Sequence, residues 1–150
     1  MQYREAKLGR IFVLRLEDGD VIPTVIEEFA QAQQIRAALV HFLGGADTGS
    51  RVVVGPEDGT ALKPTILVEM LAGVHEAVGT GTIFPDEEGK PKLHLHAAFG
   101  RREGTVTGCT REGVRVWQIA EAVILELLEV QGIRKKDPQK GFAVLTLAED

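Results

Sequence analysis

The side chains best suited to chemistry sit in one short segment, KLHLHAAFG at residues 92–100. If this segment is a β-strand, residues two apart project from the same face. His94 and His96 then point together, while Leu93, Leu95 and Ala97 fill the opposite face. Two imidazoles side by side can chelate a divalent ion without straining the backbone, and the apolar face anchors the strand in a core. Alone, a His-x-His pair is a weak signal, because most such pairs are structural or simply exposed. The following turn strengthens it. GRREG at 100–104 reads as a hairpin, so TVTGC at 105–109 runs back alongside and brings Cys109 across from the histidines. Two histidines and a cysteine with an open fourth position are a legitimate zinc arrangement, and the same soft donor set suits other divalent transition metals. The competing reading makes Cys109 a small buried hydrophobe, the commoner fate of a free cysteine.

The elements that must position these residues are short and divided by glycines, a rhythm that suits a sheet-rich fold with many turns. RIFVLRLE at 10–17 reads as a strand closed by the turn Asp18-Gly19-Asp20. Asp20 is a good N-cap and Pro23 is tolerated in a first helical turn. Val21, Val25, Ile26, Phe29 and Ala30 then recur at helical spacing, which predicts a helix over 21–34. Further strands are expected at 36–43, 50–54, 65–72, 76–84, 92–100 and 104–109. The run at 114–130 is ambiguous. WQIAEAVILELLEV contains strong helix formers at amphipathic spacing, yet tertiary context overrides propensity. The polar stretch RKKDPQK at 134–140 reads as a loop and GFAVLTL at 141–147 as a final strand.

The bulk properties bound the answer. A chain of 150 residues fits a single domain and can bury roughly 70% of its unfolded surface. Hydrophobic residues make up 44% but aromatics only 5%, so Val, Ile, Leu and Ala must build the core. One cysteine excludes an intrachain disulfide and fits a reducing compartment. The charged N-terminus resembles neither a signal peptide nor an anchor, and no apolar run approaches the ~20 residues that span a bilayer. The expected address is the cytoplasm, with no membrane partner. Net charge is −5, from 17 basic and 22 acidic residues. Nonspecific nucleic-acid affinity comes mainly from Lys and Arg neutralising phosphates, so the overall charge argues against a dedicated DNA binder.

Several signatures, in order, resemble a known family. They are GRIFVLRLEDGD, the helix after it, LGGADTG, GTGTIFPDEEGKPKLHLHAAFG, TGCTREG and AEAVILEL. Together they resemble the plant-and-prokaryote conserved domain, found beside AT-hook motifs in plant nuclear proteins and alone in bacteria and archaea. The resemblance covers nearly the whole chain and is most specific around His94 and His96. It implies an α+β fold, a curved, mostly antiparallel, barrel-like sheet with one main helix near the N-terminus, assembled as a homotrimer. It also favours strand over helix for 114–130. The family is similar in fold to acetolactate decarboxylase, a zinc enzyme whose ligands are a His-x-His pair and a later histidine after glycine. By spacing that later histidine falls on Cys109, a conservative exchange of thiolate for imidazole. The stretch TILVEMLAG lacks the phenylalanine-centred pattern of the plant partner-binding strand. The chain also contains no Arg-Gly-Arg core flanked by prolines, the motif credited with gripping the minor groove.

Other candidates follow. His75 could be a fourth ligand or a hydrogen-bond donor that orients a liganding side chain, its alternative being an exposed turn histidine. His41, in an apolar strand before Gly44-Gly45, reads as a core or interface histidine. Glu121 interrupts an apolar run and is a candidate general base or orienting carboxylate, though a strand residue facing solvent looks the same. Trp117 reads as packing. Arg134, Lys135, Lys136 and Lys140, with Arg101 and Arg102 at the hairpin, form the candidate phosphate-contacting surface, interrupted by Asp137 and Glu103. No phosphate-cradling glycine loop is present, and Gly79-x-Gly81 lacks the later glycine and helix.

Two functions from different classes are consistent with these residues. One is a trimeric regulatory or ligand-binding module, metal-loaded at His94, His96 and Cys109, whose DNA association is weak or indirect. The other is a small metal-dependent enzyme related to acetolactate decarboxylase, its metal polarising a carbonyl or activating water.

Overall fold

The computed structural model describes residues 1–102 and 104–147; Glu103, one of the residues interrupting the basic cluster, lies outside them. The chain runs β1 (Lys7–Glu17), β2 (Val21–Ile22), α1 (Thr24–Ala32), β3 (Ala38–Ala46), β4 (Arg51–Pro56), β5 (Ile66–Met70) and β6 (His75–Pro85). It continues through β7 (Pro91–Arg101), β8 (Gly104–Cys109), a 3₁₀ turn (Thr110–Glu112), β9 (Val114–Leu128), β10 (Gly132–Lys136) and β11 (Ala143–Leu147). The expected α+β class holds, with one helix near the N-terminus. The main sheet follows the order β1-β9-β3-β6-β7-β8-β4-β5, with β2 added to β9. Every pairing in it is antiparallel. The sheet is curved, but β1 and β5 stand at opposite ends of this path, so the barrel-like expectation is corrected to an open sheet.

β9 shows why local propensity misleads. Its helix-forming residues pair with β1 on one side, as in Leu14↔Ala122, and with β3 on the other, as in Phe42↔Ala122. Its inward positions alternate: Ala120, Ala122 and Ile124 are buried. A strand paired along both edges satisfies its backbone and buries one face, which outweighs the few tenths of a kcal/mol per residue by which Leu or Glu favours helix. The inward-facing Glu126 is satisfied by Arg10, whose Nε and Nη2 each donate to it at 2.7 Å.

The buried face is filled by Phe42, Leu95, Phe99, Ile83 and Ile124, with Ile26 and Ala30 of α1 laid on it. Fully burying side chains of this size contributes about 1.5–3 kcal/mol each. The helix is shorter than 21–34 because Val21 and Ile22 pair with Arg115 and Val114 of β9 before it begins. Asp20 is accordingly not its N-cap: that position is Pro23, and the Asp20 carboxylate accepts from the Glu17 backbone N–H at 2.9 Å. A second correction concerns 134–140. Residues up to Lys136 are not loop but part of β10, paired with β11 in a separate hairpin through Arg134↔Leu145 and Lys136↔Ala143.

Candidate metal centre

β7 and β8 pair in the register that sets the centre, with His96 opposite Cys109. Opposed residues of an antiparallel pair share a face, so Cys109 lies on the side of the sheet that carries both imidazoles. The His94 and His96 Nε2 atoms are 3.0 Å apart, their rings nearly perpendicular. The two histidines and Cys109 bring their ligand atoms within 4.8 Å of one another. A tetrahedral ion about 2.0–2.3 Å from each donor sets donor separations of about 3.3–3.7 Å, between those two values. The donor chemistry and spacing fit a divalent transition metal.

Two features hold this geometry from behind. Thr110, buried just past Cys109, donates from Oγ1 to the Leu95 carbonyl at 3.2 Å, tying the turn to β7 between the two histidines. Gly81 of β6 permits close approach: a Cβ there would meet the His94 carbonyl oxygen at 2.3 Å and the Leu95 Cα at 2.6 Å. Gly79-x-Gly81 is thus a packing device beneath the site. Gly81→Ala is expected to destabilise the protein by about 1–3 kcal/mol, as overpacking does, and to weaken metal binding by displacing β7. Urea unfolding with a metal titration checks both; an unchanged midpoint would remove this role.

Charge around the pair is positive. Partial burial, then the charges of Arg134, His96 and Arg111, push the His94 pKa down to about 4. His94 is therefore an uncharged imidazole at neutral pH, the form a metal needs. In the metal-free protein the sign is definite. The unfolded chain takes up a proton near 6.5 while the folded one waits until about 4, so stability present above pH 6.5 is lost as pH falls towards 4. Metal-free His94→Gln protein should show a flatter pH dependence of the urea midpoint over that window.

Arg134 was not legible as part of the centre. It was expected on a phosphate-contacting loop, but it is only 8% exposed. Its Nη2 donates to the carbonyl and hydroxyl oxygens of Thr82 and its Nε to the Lys92 carbonyl. Thr82 is the β6 partner of His94, so the guanidinium is anchored beside the site. The flanking Lys135 and Lys136 are exposed, and reading all three together hid the difference.

The remaining candidates disperse. His75 opens β6 opposite Ala46, with Nδ1 2.8 Å from the Gly73 carbonyl oxygen. It stands five residues along β6 from Thr80, the partner of His96, a separation of about 16 Å. Glu121, exposed opposite Leu43 and Arg15, is three strands from β7, about 14 Å away. His41 is exposed and shares a row with Thr80 and His96, about 10 Å from the latter. Trp117 packs over Gly45. The basic cluster splits. Arg101 and Arg102 sit at the hairpin end of β7, while Lys135 and Lys136 lie near its start, roughly 30 Å off. Lys135, Lys136 and Lys140 instead line a groove with Lys63, Arg111, Glu87 and Phe142. No spacing rule connects Lys63 or Arg111 to that groove.

Known proteins place this fold. A protein of Pyrococcus horikoshii described as a plant- and prokaryote-conserved protein superposes with a TM-score of 0.84 at 23% identity, covering 100% of both chains. A metal-containing protein of Archaeoglobus fulgidus superposes with a TM-score of 0.82 at 24% identity, covering 97% of this chain and 99% of its own. A Ralstonia eutropha protein, provisionally named DNA-binding, gives 0.72 at 22% identity over 91% of this chain and 90% of its own. In sequence, 138 residues are 30% identical to the bifunctional protein GlmU of a Synechococcus strain; the match takes in 91% of this chain but only 20% of that protein. Residues 3–128 match the model of the Plants and Prokaryotes Conserved (PCC) domain, and the chain belongs to that family.

Proposed function

We propose that this chain is a regulatory or ligand-binding module that carries zinc, or another divalent transition metal, on His94, His96 and Cys109. It works as a homotrimer in the cytoplasm, and its association with DNA is weak or indirect. The observation that carries the reading is the trio of donors within 4.8 Å on one face of the sheet. A relative of the same fold described as metal-containing adds support. The DNA part rests on relatives provisionally named DNA-binding, weighed against the net charge of −5 and the separation of the two basic clusters. Among the described residues, no helix is long and apolar enough to cross a membrane.

Elemental analysis of the purified full chain tests the centre, with near-stoichiometric metal expected. A metal-free protein that stays folded and takes up no added zinc would end the proposal. Tight binding of duplex DNA by the lone domain in gel shifts at physiological salt would overturn the indirect role.

The second reading, a small metalloenzyme related to acetolactate decarboxylase, is favoured by a set of only three protein donors, because a tetrahedral ion held by three ligands keeps one position for water or substrate. It needs an acid or base at the metal, and Glu121 is three strands distant. Metal-dependent turnover of 2-hydroxy-3-keto acids or simple esters would promote it.

A further inference from the structure

Arg134 is an unusual residue to bury beside a cation site. Its guanidinium is fixed by three hydrogen bonds, to the Lys92 carbonyl, the Thr82 carbonyl and the Thr82 hydroxyl. Among the described residues none accepts from its remaining nitrogen, Nη1, and no buried side-chain nitrogen there lacks a partner. Nη1 therefore reaches solvent. Because Thr82 is paired with His94, that solvent lies beside the histidine pair.

The charge count is lopsided. Two neutral imidazoles and one thiolate leave a divalent ion with a net +1. Arg134 and Arg111 add two more charges that act on His94. The carboxylate that acts on Arg134 is Glu27, and it is already engaged by the Leu93 backbone N–H at 3.0 Å and Lys92 Nζ at 3.1 Å. Arg134 is buried while both histidines and Arg111 are exposed, and a concentration of positive charge at such a boundary attracts an anion. Arginine with one nitrogen free is suited to one oxygen of a carboxylate, while the other oxygen is a good ligand for a metal position that three protein donors leave open.

We infer that the ligand of this centre is a small carboxylate anion, held between the metal on His94, His96 and Cys109 and the free Nη1 of Arg134. The inference rests on the metal-centre reading above and deepens it. It makes Arg134 the residue that selects the ligand's charge, and it makes Thr82 the residue that aims Arg134.

Cobalt(II) is the probe, because its visible spectrum reports both the thiolate bond and any change in the fourth ligand. Full-length protein loaded with cobalt and titrated with acetate should show a saturable shift of its visible bands, half-complete at ~1–10 mM. Arg134→Met should bind cobalt with the same thiolate band but need at least about tenfold more acetate, the effect of losing one charged hydrogen bond. Thr82→Val, nearly isosteric, should raise the half-saturation about threefold, since it frees Arg134 from its hydroxyl anchor. It decides the matter should Arg134→Met not fold. Cobalt uptake with no acetate response in the wild type, or half-saturation unmoved in the folded variants, overturns the carboxylate assignment and leaves the metal centre standing. No cobalt uptake by the wild type removes the metal centre itself, and this inference with it.

Discussion

Cys109→Ser and His96→Ala should each take the protein's metal content from near one ion per chain to almost none. Removing a group that merely orients a ligand costs roughly 10–100-fold in affinity, and losing one of three donors should cost more. A serine hydroxyl cannot replace a thiolate, because it keeps its proton at neutral pH and is a poor donor to a soft metal. His96→Ala leaves His94 and Cys109 without the imidazole that stands 3.0 Å from one and in register with the other. Neither change should unfold the chain. Both histidines are exposed on the outer face, and Cys109→Ser changes little volume. Elemental analysis with circular dichroism checks this. Retention of metal by the serine variant would mean that Cys109 is a buried hydrophobe and that the third donor lies elsewhere.

The second large effect concerns assembly. The outer face of the sheet carries Ile11 and Val13 on β1, Ile119 on β9, Leu43 on β3 and Val78 on β6, all at least 48% exposed. These four strands are neighbours, and Leu43 and Val78 are directly paired. Half-buried Val123, Leu125 and Leu39 extend the patch. Exposed apolar side chains this numerous on one face, interrupted by Arg15, His41 and Glu121, mark an interaction site, and in the homotrimer proposed for this chain it is the face to be covered. Val78→Asp places a carboxylate in that patch. Burying an unpaired charge costs several kcal/mol, enough to shift assembly by orders of magnitude, since every 1.4 kcal/mol is tenfold. Light scattering at micromolar concentration should read trimer for the wild type and monomer for Val78→Asp, with metal content unchanged. A monomeric wild type would remove the trimer, and a trimeric Val78→Asp would move the interface to another surface, such as the exposed edge strand β5.

Both experiments bear on one another because the candidate donors and the apolar patch share the outer face. His41, Thr80 and His96 form a row leading from β3, inside the patch, to β7. A Val78→Asp monomer that still binds metal would show that each chain completes its own donor trio.

Local periodicity and short-range turns suffice for part of the fold and most of the donor trio. The two-residue repeat of a strand puts His94 and His96 on one face whatever the rest of the fold does. A hairpin between 100 and 104 brings Cys109 opposite them, and the observed register places it against His96. Family signatures supplied the α+β class and the strand at Val114–Leu128 that helix propensity alone would have hidden. Everything else depends on packing between segments distant in the chain. That β9 is a strand depends on β1 and β3, far away in sequence, filling both of its edges. That Glu121 and His75 stand apart from the candidate donors depends on strand order, which no spacing rule encodes. Arg134 looked like one of several solvated basic residues, because burial is a property of what packs on a side chain and not of its neighbours in the chain. Its place beside His94 arises from β10 folding back onto β6, a contact between residues about fifty apart whose partners, two oxygens of one threonine, leave no trace in composition or pattern.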